Sequence, residues 1–130
     1  MAQSQNTKVE FTIKATSMHG LTTYGDVMLG DVAFEFYNDK NPEDYIQIPW
    51  KEIDHVAAEV LPGKKISRFA IFTKENWHYT FSTRDNKATL RAVREHVPAD
   101  RLQKSENFFQ VLGHGVGSIG RTVSGVFGRK

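Results

Sequence analysis

The 130-residue chain has no cysteine. This absence excludes a disulfide framework, thiol catalysis, iron–sulfur clusters and cysteine-ligated zinc, and it suits a reducing compartment. No apolar run is long enough to span a bilayer, and the opening residues Met1 to Thr7 have neither the basic stretch nor the apolar core of a secretory signal. The expected location is therefore the cytoplasm, with peripheral association at the inner face of the cell membrane allowed. An excess of one charge sign is lacking too, since 17 Lys and Arg stand against 15 Asp and Glu. The net charge by itself predicts neither nucleic-acid nor membrane binding, and without a recognition-helix motif no nucleic-acid partner is expected. Proline is sparse at 4 residues, and glycine is concentrated, with six of its 10 residues between Gly113 and Gly128.

A chain of this length holds one domain with a modest single core. Charge is unevenly spread along it. Residues 1 to 60 hold four Lys and Arg against ten Asp and Glu, and residues 61 to 130 hold thirteen against five. A two-sided molecule follows if the fold keeps these halves apart, and its basic side would steer toward acidic partners.

Period-2 patterns dominate the first two-thirds. Val9, Phe11, Ile13 and Ala15 alternate with polar residues, which predicts a half-buried strand. Tyr24 to Leu29 turns at Gly30-Asp31 into Val32 to Tyr37, with Val32, Phe34 and Phe36 facing inward. The turn-rich Asn38 to Asp44 precedes a strand from Tyr45 to Trp50. Ile53 to Leu61 reads as a strand ending at Pro62-Gly63, although Ala57-Ala58-Glu59 would also accept helix. Ile66 to Thr73 and Trp77 to Ser82 complete seven strands, with Trp77, Tyr79 and Phe81 as one alternating series. At Asp85 the period changes: Leu90, Val93 and Val97 fall at helical spacing, and Pro98 stops a helix over 85 to 97. The expected fold is mainly β: a seven-stranded bent sheet or split barrel closed by one helix, with the aromatics in its core.

No chemistry-bearing constellation accompanies this pattern. His19, His55, His78, His96 and His114 lack paired ligand spacing, and Asp54 and His55 are neighbours expected on opposite faces of a strand. Ser17 and Ser82 have no nucleophile setting, and Glu52, Asp54 and Glu59 read as solvent-facing. Gly115-Val116-Gly117-Ser118-Ile119-Gly120 matches the dinucleotide fingerprint in letters only, because no acidic residue follows it. The expectations are no enzyme activity, no cofactor and no metal.

The order of seven strands and a helix, with Ile48-Pro49-Trp50-Lys51-Glu52-Ile53 leading to Arg68-Phe69-Ala70-Ile71 and Phe81-Ser82, resembles pleckstrin-homology and GRAM-like domains. A closer resemblance rests on Lys14-Ala15-Thr16-Ser17, Gly20-Leu21-Thr22, Phe34-Glu35-Phe36-Tyr37-Asn38, Tyr45-Ile46-Gln47-Ile48-Pro49-Trp50 and the stretch from Arg91 to Arg101. Over roughly residues 5 to 103 the chain is similar to the ManO family. These small proteins are encoded beside mannose-type phosphotransferase permeases in Gram-positive bacteria. The resemblance implies an accessory or regulatory protein of sugar uptake whose partners are the membrane-embedded permease subunits, and it brings no catalytic residue.

Residues 1–103 thus read as the pleckstrin-homology-like domain and residues 104–130 as a basic, glycine-rich tail. The tail's apolar positions Phe109, Leu112, Val116, Ile119, Val123 and Val126 would form one helical stripe, with no acid after Glu106. Its six glycines would cost about 5 to 6 kcal/mol in a helix interior, so helicity there needs a partner. Gly113 and Gly117 permit close helix approach, while Arg121 argues against a bilayer crossing. Three readings stay open for the tail: a flexible extension, docking on a membrane protein or bilayer surface, and packing against the domain. In the docking reading the contacts are Phe108, Phe109, Leu112, Gly113, Val116, Gly117, Ile119, Gly120, Arg121, Val123 and Phe127. A second candidate contact is the basic helix face Lys87, Arg91 and Arg94, with Arg84 and Arg101 as candidate flanks. It would meet either the permease or anionic lipid headgroups. Lys64, Lys65 and Arg68 extend that face only if their hairpin lies at the same end of the fold.

Overall fold

Alternation becomes pairing over eight strands in the computed structural model, which describes residues 3 to 105. They are β1 (Val9–Ser17), β2 (Thr23–Gly30), β3 (Ala33–Asn38), β4 (Tyr45–Pro49), β5 (Ile53–Leu61), β6 (Lys65–Thr73), β7 (His78–Thr83) and β8 (Leu102–Ser105). One helix, α1 (Asn86–Val93), lies between β7 and β8. The strands form one mixed sheet in the order β4-β3-β2-β1-β7-β6-β5-β8, antiparallel except for the β5–β8 pair.

The sheet curls on itself, as its aromatics show. Phe34 of β3 and Phe81 of β7 are three strand spacings apart along the sheet, a separation of about 14 Å if it were flat. Their ring centroids lie 4.9 Å apart, and Phe34 also meets Phe69 of β6 edge-on at 6.2 Å. Phe34, Phe36, Phe69 and Phe81 are all fully or almost fully buried, and each contributes about 2 to 3 kcal/mol of hydrophobic burial. Leu29, Val27, Ile71 and Val56 fill the space between them, and Val93 and Val97 cap it from the helix side.

The Asp85 carboxylate accepts from the Ala88 N–H at 3.0 Å, so α1 begins where its acidic cap was expected. The helix ends at Val93, four residues earlier than the apolar spacing predicts. Beyond it, Glu95 N donates to Ala92 O and His96 N to Val93 O, tightening the chain into turns. The tighter path still buries Val97 and also lays the His96 ring on Trp50, with centroids 4.5 Å apart and planes at 8°. His96 Nε2 lies 2.9 Å from Glu10 Oε1, which ties the helix exit to β1.

An N-terminal segment reinforces the outer side of β3. Asn6 Oδ1 accepts from Val32 N at 2.8 Å and Ala33 N at 2.7 Å, while Asp31 accepts from Thr7 and from Lys8 N. The hydroxyl of Thr7 and the backbone N–H groups hold the Asp31 carboxyl below its usual pKa. Gly30 is required here, because an added Cβ would sit 2.3 Å from Asn6 Cγ and 2.5 Å from Lys8 O. Glu35 is fully buried under the same segment. It accepts from Ser4 Oγ and Gln5 N, each at 2.6 Å, and from the Tyr37 hydroxyl at 3.0 Å. Burial pushes the Tyr37 pKa up.

Several sequence expectations are corrected. Seven strands become eight, since Leu102–Ser105 pairs parallel to β5 across the expected boundary at 103. Ile53–Leu61 is strand throughout, with Val56 and Ala58 in the core. Val32 lies in the turn and is 40% exposed, Val9 is 47% exposed at the start of β1, and Trp77 is 59% exposed beside the left-handed Asn76. Glu59 is not solvent-facing: it pairs with Arg68 Nε at 3.1 Å and accepts from Ser67 Oγ. Asp54 and His55 leave the strand on opposite sides, yet Asp54 Oδ2 curls back to 2.7 Å from His55 Nδ1.

Candidate docking surface

Two connections bring cations to one end of the sheet. The first is the β5–β6 hairpin, where Lys64 N donates to Leu61 O at 2.9 Å and Gly63 takes φ +86°. Pro62-Gly63 is the residue pair a type II turn requires. Lys64 follows at φ +67°, a left-handed conformation that is costly for a side-chain-bearing residue. The second is the β7–α1 corner, which carries Arg84 and Lys87.

Asn86 joins the two. Its Oδ1 accepts from Thr83 N at 2.8 Å and Thr83 Oγ1 at 3.1 Å, and its Nδ2 donates to Ile66 O at 2.9 Å. The corner after β7 is thereby fastened to the start of β6. Thr89, fully buried, supports it from below through Thr83 Oγ1 at 2.8 Å. The resulting cleft encloses about 640 Å³ and is lined by Lys64, Lys65, Arg84 and Lys87, with Asp85 the sole acid among its lining residues. The Asp85 carboxylate is committed to the helix cap.

Arg91 and Arg94 continue the charge along the solvent side of α1, opposite the buried Thr89 and Val93. None of these six cations makes an ion pair among the described residues. By contrast, Lys14 and Arg68 each face carboxylates. Lys14 lies 3.1 Å from Asp26 and 3.4 Å from Asp39, and the Asp26 carboxylate raises its pKa. Arg68 is held by Glu59 on another row of β6. Like charges gathered without counterions repel one another, so this end gives up some stability and gains an attractive field for anions.

The sequence-predicted helix face Lys87, Arg91 and Arg94 is therefore exposed and continuous. Lys64 and Lys65 join it, and Arg68 does not. The missing signal was the direction of the hairpin, which no local pattern encodes. The predicted tail contacts, from Phe108 to Phe127, lie outside the described residues. β8 runs alongside β5 from Val56↔Leu102 to Glu59↔Ser105, so it points toward the end of the sheet where the hairpin bears Lys64.

A second cavity, of about 510 Å³, lies between the β1–β2 loop and β4 and is lined by His19, Leu21, Tyr45, Gln47 and Tyr79. Burial, and secondarily the charge of His19, push the pKa of nearby His78 down. No group of three or more metal-ligating side chains occurs among the described residues. No helix among them is long and apolar enough to cross a membrane.

Comparison with known proteins gives three findings. A family model described as a domain of unknown function, DUF956, matches residues 1–116. No curated protein matches the chain. The fold is similar to the crystal structure of the C-terminal domain of an unknown protein from Leishmania infantum, with a TM-score of 0.61 at 9% identity, covering 68% of this chain and 83% of that one. At such identity the likeness is one of fold alone.

Proposed function

The chain belongs to the DUF956 family, and from that premise we propose that it is a non-enzymatic accessory protein that docks through its cationic end on an acidic surface at the cytoplasmic face of the membrane. The observation that carries this reading is the set of six cations without an ion pair among the described residues, Lys64, Lys65, Arg84, Lys87, Arg91 and Arg94, presented by one hairpin, one corner and one helix. The resemblance to the ManO family names the surface: the membrane-embedded subunits of a mannose-type phosphotransferase permease, whose sugar uptake the protein modulates. The curled sheet with a helix packed at its side supports kinship with pleckstrin-homology and GRAM-like domains, which commonly serve as docking platforms. The basic tail supplies a second contact.

Co-purification of the full chain with the permease tests this. Charge reversal at Lys87, Arg91 and Arg94 together should abolish association at physiological ionic strength. Truncation after Ser105, which spares β8, should weaken it. Undiminished association in both variants would sink the proposal.

A second reading is favoured by Leu61, 39% exposed on the hairpin that carries Lys64 and Lys65. An apolar tip ringed by cations suits insertion among anionic headgroups, with no specific permease. Steeply salt-dependent binding to protein-free phosphatidylglycerol vesicles, equal in the presence and absence of permease, would favour it over the first reading.

A further inference from the structure

The cations at the hairpin end occupy two kinds of place. Arg91 and Arg94 stand on the solvent side of α1, open to any surface that approaches. Lys64, Lys65, Arg84 and Lys87 instead line a cleft of about 640 Å³, within the range of roughly 300 to 1,000 Å³ that small-molecule sites occupy. The two lysines first named come from the β5–β6 hairpin, and Arg84 and Lys87 come from the β7–α1 corner, so positive charge lies on both walls. A flat acidic surface reaches only the rim of such a cleft. Opposed walls suit a molecule that enters between them.

The charge in the cleft is not answered from within. Among the described residues none of these four cations makes an ion pair. Asp85 is the sole acid of the lining, and four positive charges less that one negative charge leave a net of +3. The floor is already bonded: Ser82 Oγ donates to Ser67 O at 2.9 Å, Ser67 Oγ donates to Glu59, and Asn86 ties Thr83 to Ile66. A ligand would therefore be held by the cations of the walls. Lys64 adds a separate observation, because at φ +67° it takes a left-handed position that glycine or asparagine adopts at less cost. The fold keeps a lysine there against its backbone preference, and strain of this kind gathers at functional sites.

We propose that the cleft is a binding site for a soluble small molecule carrying a diphosphate group. A diphosphate brings about three negative charges near neutral pH, matching the net charge of the lining. One phosphoryl group can face Lys64 and Lys65 while the other faces Arg84 and Lys87, with Arg84 supplying a planar fork and the lysines point charges. A lone carboxylate carries one charge and cannot answer both walls. The site uses cations of the docking reading but needs neither bilayer nor permease, so either reading can fail while the other stands.

The test is titration of the full chain with sodium pyrophosphate and, separately, with orthophosphate at constant ionic strength, followed by calorimetry and amide NMR. Pyrophosphate should bind at least about tenfold more tightly than orthophosphate and shift the amides of Lys64, Lys65, Arg84 and Lys87. Lys65→Gln with Arg84→Gln removes one cation from each wall and should weaken binding at least about tenfold, whereas Arg91→Gln with Arg94→Gln should change it less than about threefold. Lys64→Gln with Lys87→Gln removes the other cation of each wall and reads the same effect should the first pair disturb the fold. Equal weakening by the cleft pair and the helix pair would mean general attraction to a charged end and would overturn the site. Pyrophosphate binding no tighter than orthophosphate would overturn it too, as would binding confined to phosphatidylglycerol vesicles.

Discussion

Replacing Asn86 by alanine should loosen the cationic end and cost more stability than an ordinary surface substitution. The side chain makes three hydrogen bonds, to Thr83 N, Thr83 Oγ1 and Ile66 O. Thr83 Oγ1 keeps Thr89 as a partner at 2.8 Å, whereas the Thr83 N–H and Ile66 carbonyl lose the side-chain partner described here. A buried orphan group costs about 1 to 3 kcal/mol, and both bonds are only partly buried, so the lower half of that range applies. The sum is about 2 to 4 kcal/mol. Alanine at the first helical position adds no penalty of its own. For a domain of this size the loss corresponds to a fall in Tm of about 7 to 15 °C. Urea unfolding followed through Trp50 and Trp77 should show the midpoint fall at unchanged slope. Asn86→Asp keeps the acceptor for Thr83 and loses only the bond to Ile66 O, so its loss should be smaller. A loss below about 0.5 kcal/mol for Asn86→Ala, within the range of neutral surface changes, would refute the claim that this side chain holds the cleft together.

Three further outcomes are expected. Lys64→Gly relieves the left-handed strain at φ +67° and should stabilise the fold by about 0.5 to 1 kcal/mol in urea unfolding, while weakening binding to phosphatidylglycerol vesicles. Gly30→Ala drives a methyl into Asn6 and Lys8 O; it should cost about 2 kcal/mol or more and speed hydrogen exchange at Val32 and Ala33, the donors to Asn6 Oδ1. The pKa of His78 is lowered by burial and by His19 from an ordinary 6.5. Between that value and its folded midpoint the unfolded chain binds the proton more readily, so its contribution to stability is full above pH 6.5 and is lost as pH falls through the folded midpoint. An NMR titration should place the midpoint below that of a free imidazole, and His19→Ala should move it part of the way back.

Much of the curled sheet was legible because its information is local. Phe34 and Phe36, or Phe69 and Ile71, announce a buried face within one strand, and Asp85 announces a helix start within one turn. The unread parts depend on residues far apart in the chain. β8 carries only four residues, Leu102 to Ser105, and is a strand because β5, more than forty residues earlier, offers an edge. Trp77 continued an alternating series on paper, but Asn76 at φ +71° turns the chain and leaves the indole in water. The cleft follows the same rule. Lys64 and Lys65 are twenty residues from Arg84, and only the Asn86 bridge between Ile66 and Thr83 sets them around one opening. Ala57, Ala70 and Thr80, which alternate with the core residues Val56, Ala58, Phe69, Ile71 and Phe81, look like ordinary strand residues, and only their burial sets them apart.

The direction of β8 decides which end of the fold the described chain finishes at. Running parallel to β5, it sets Ser105 beside Glu59, two residues short of the hairpin end, whereas an antiparallel last strand would have finished at the far side. The last described residue and the cationic cleft therefore share one end of the sheet, and a probe attached at Ser105 would report on whatever binds there.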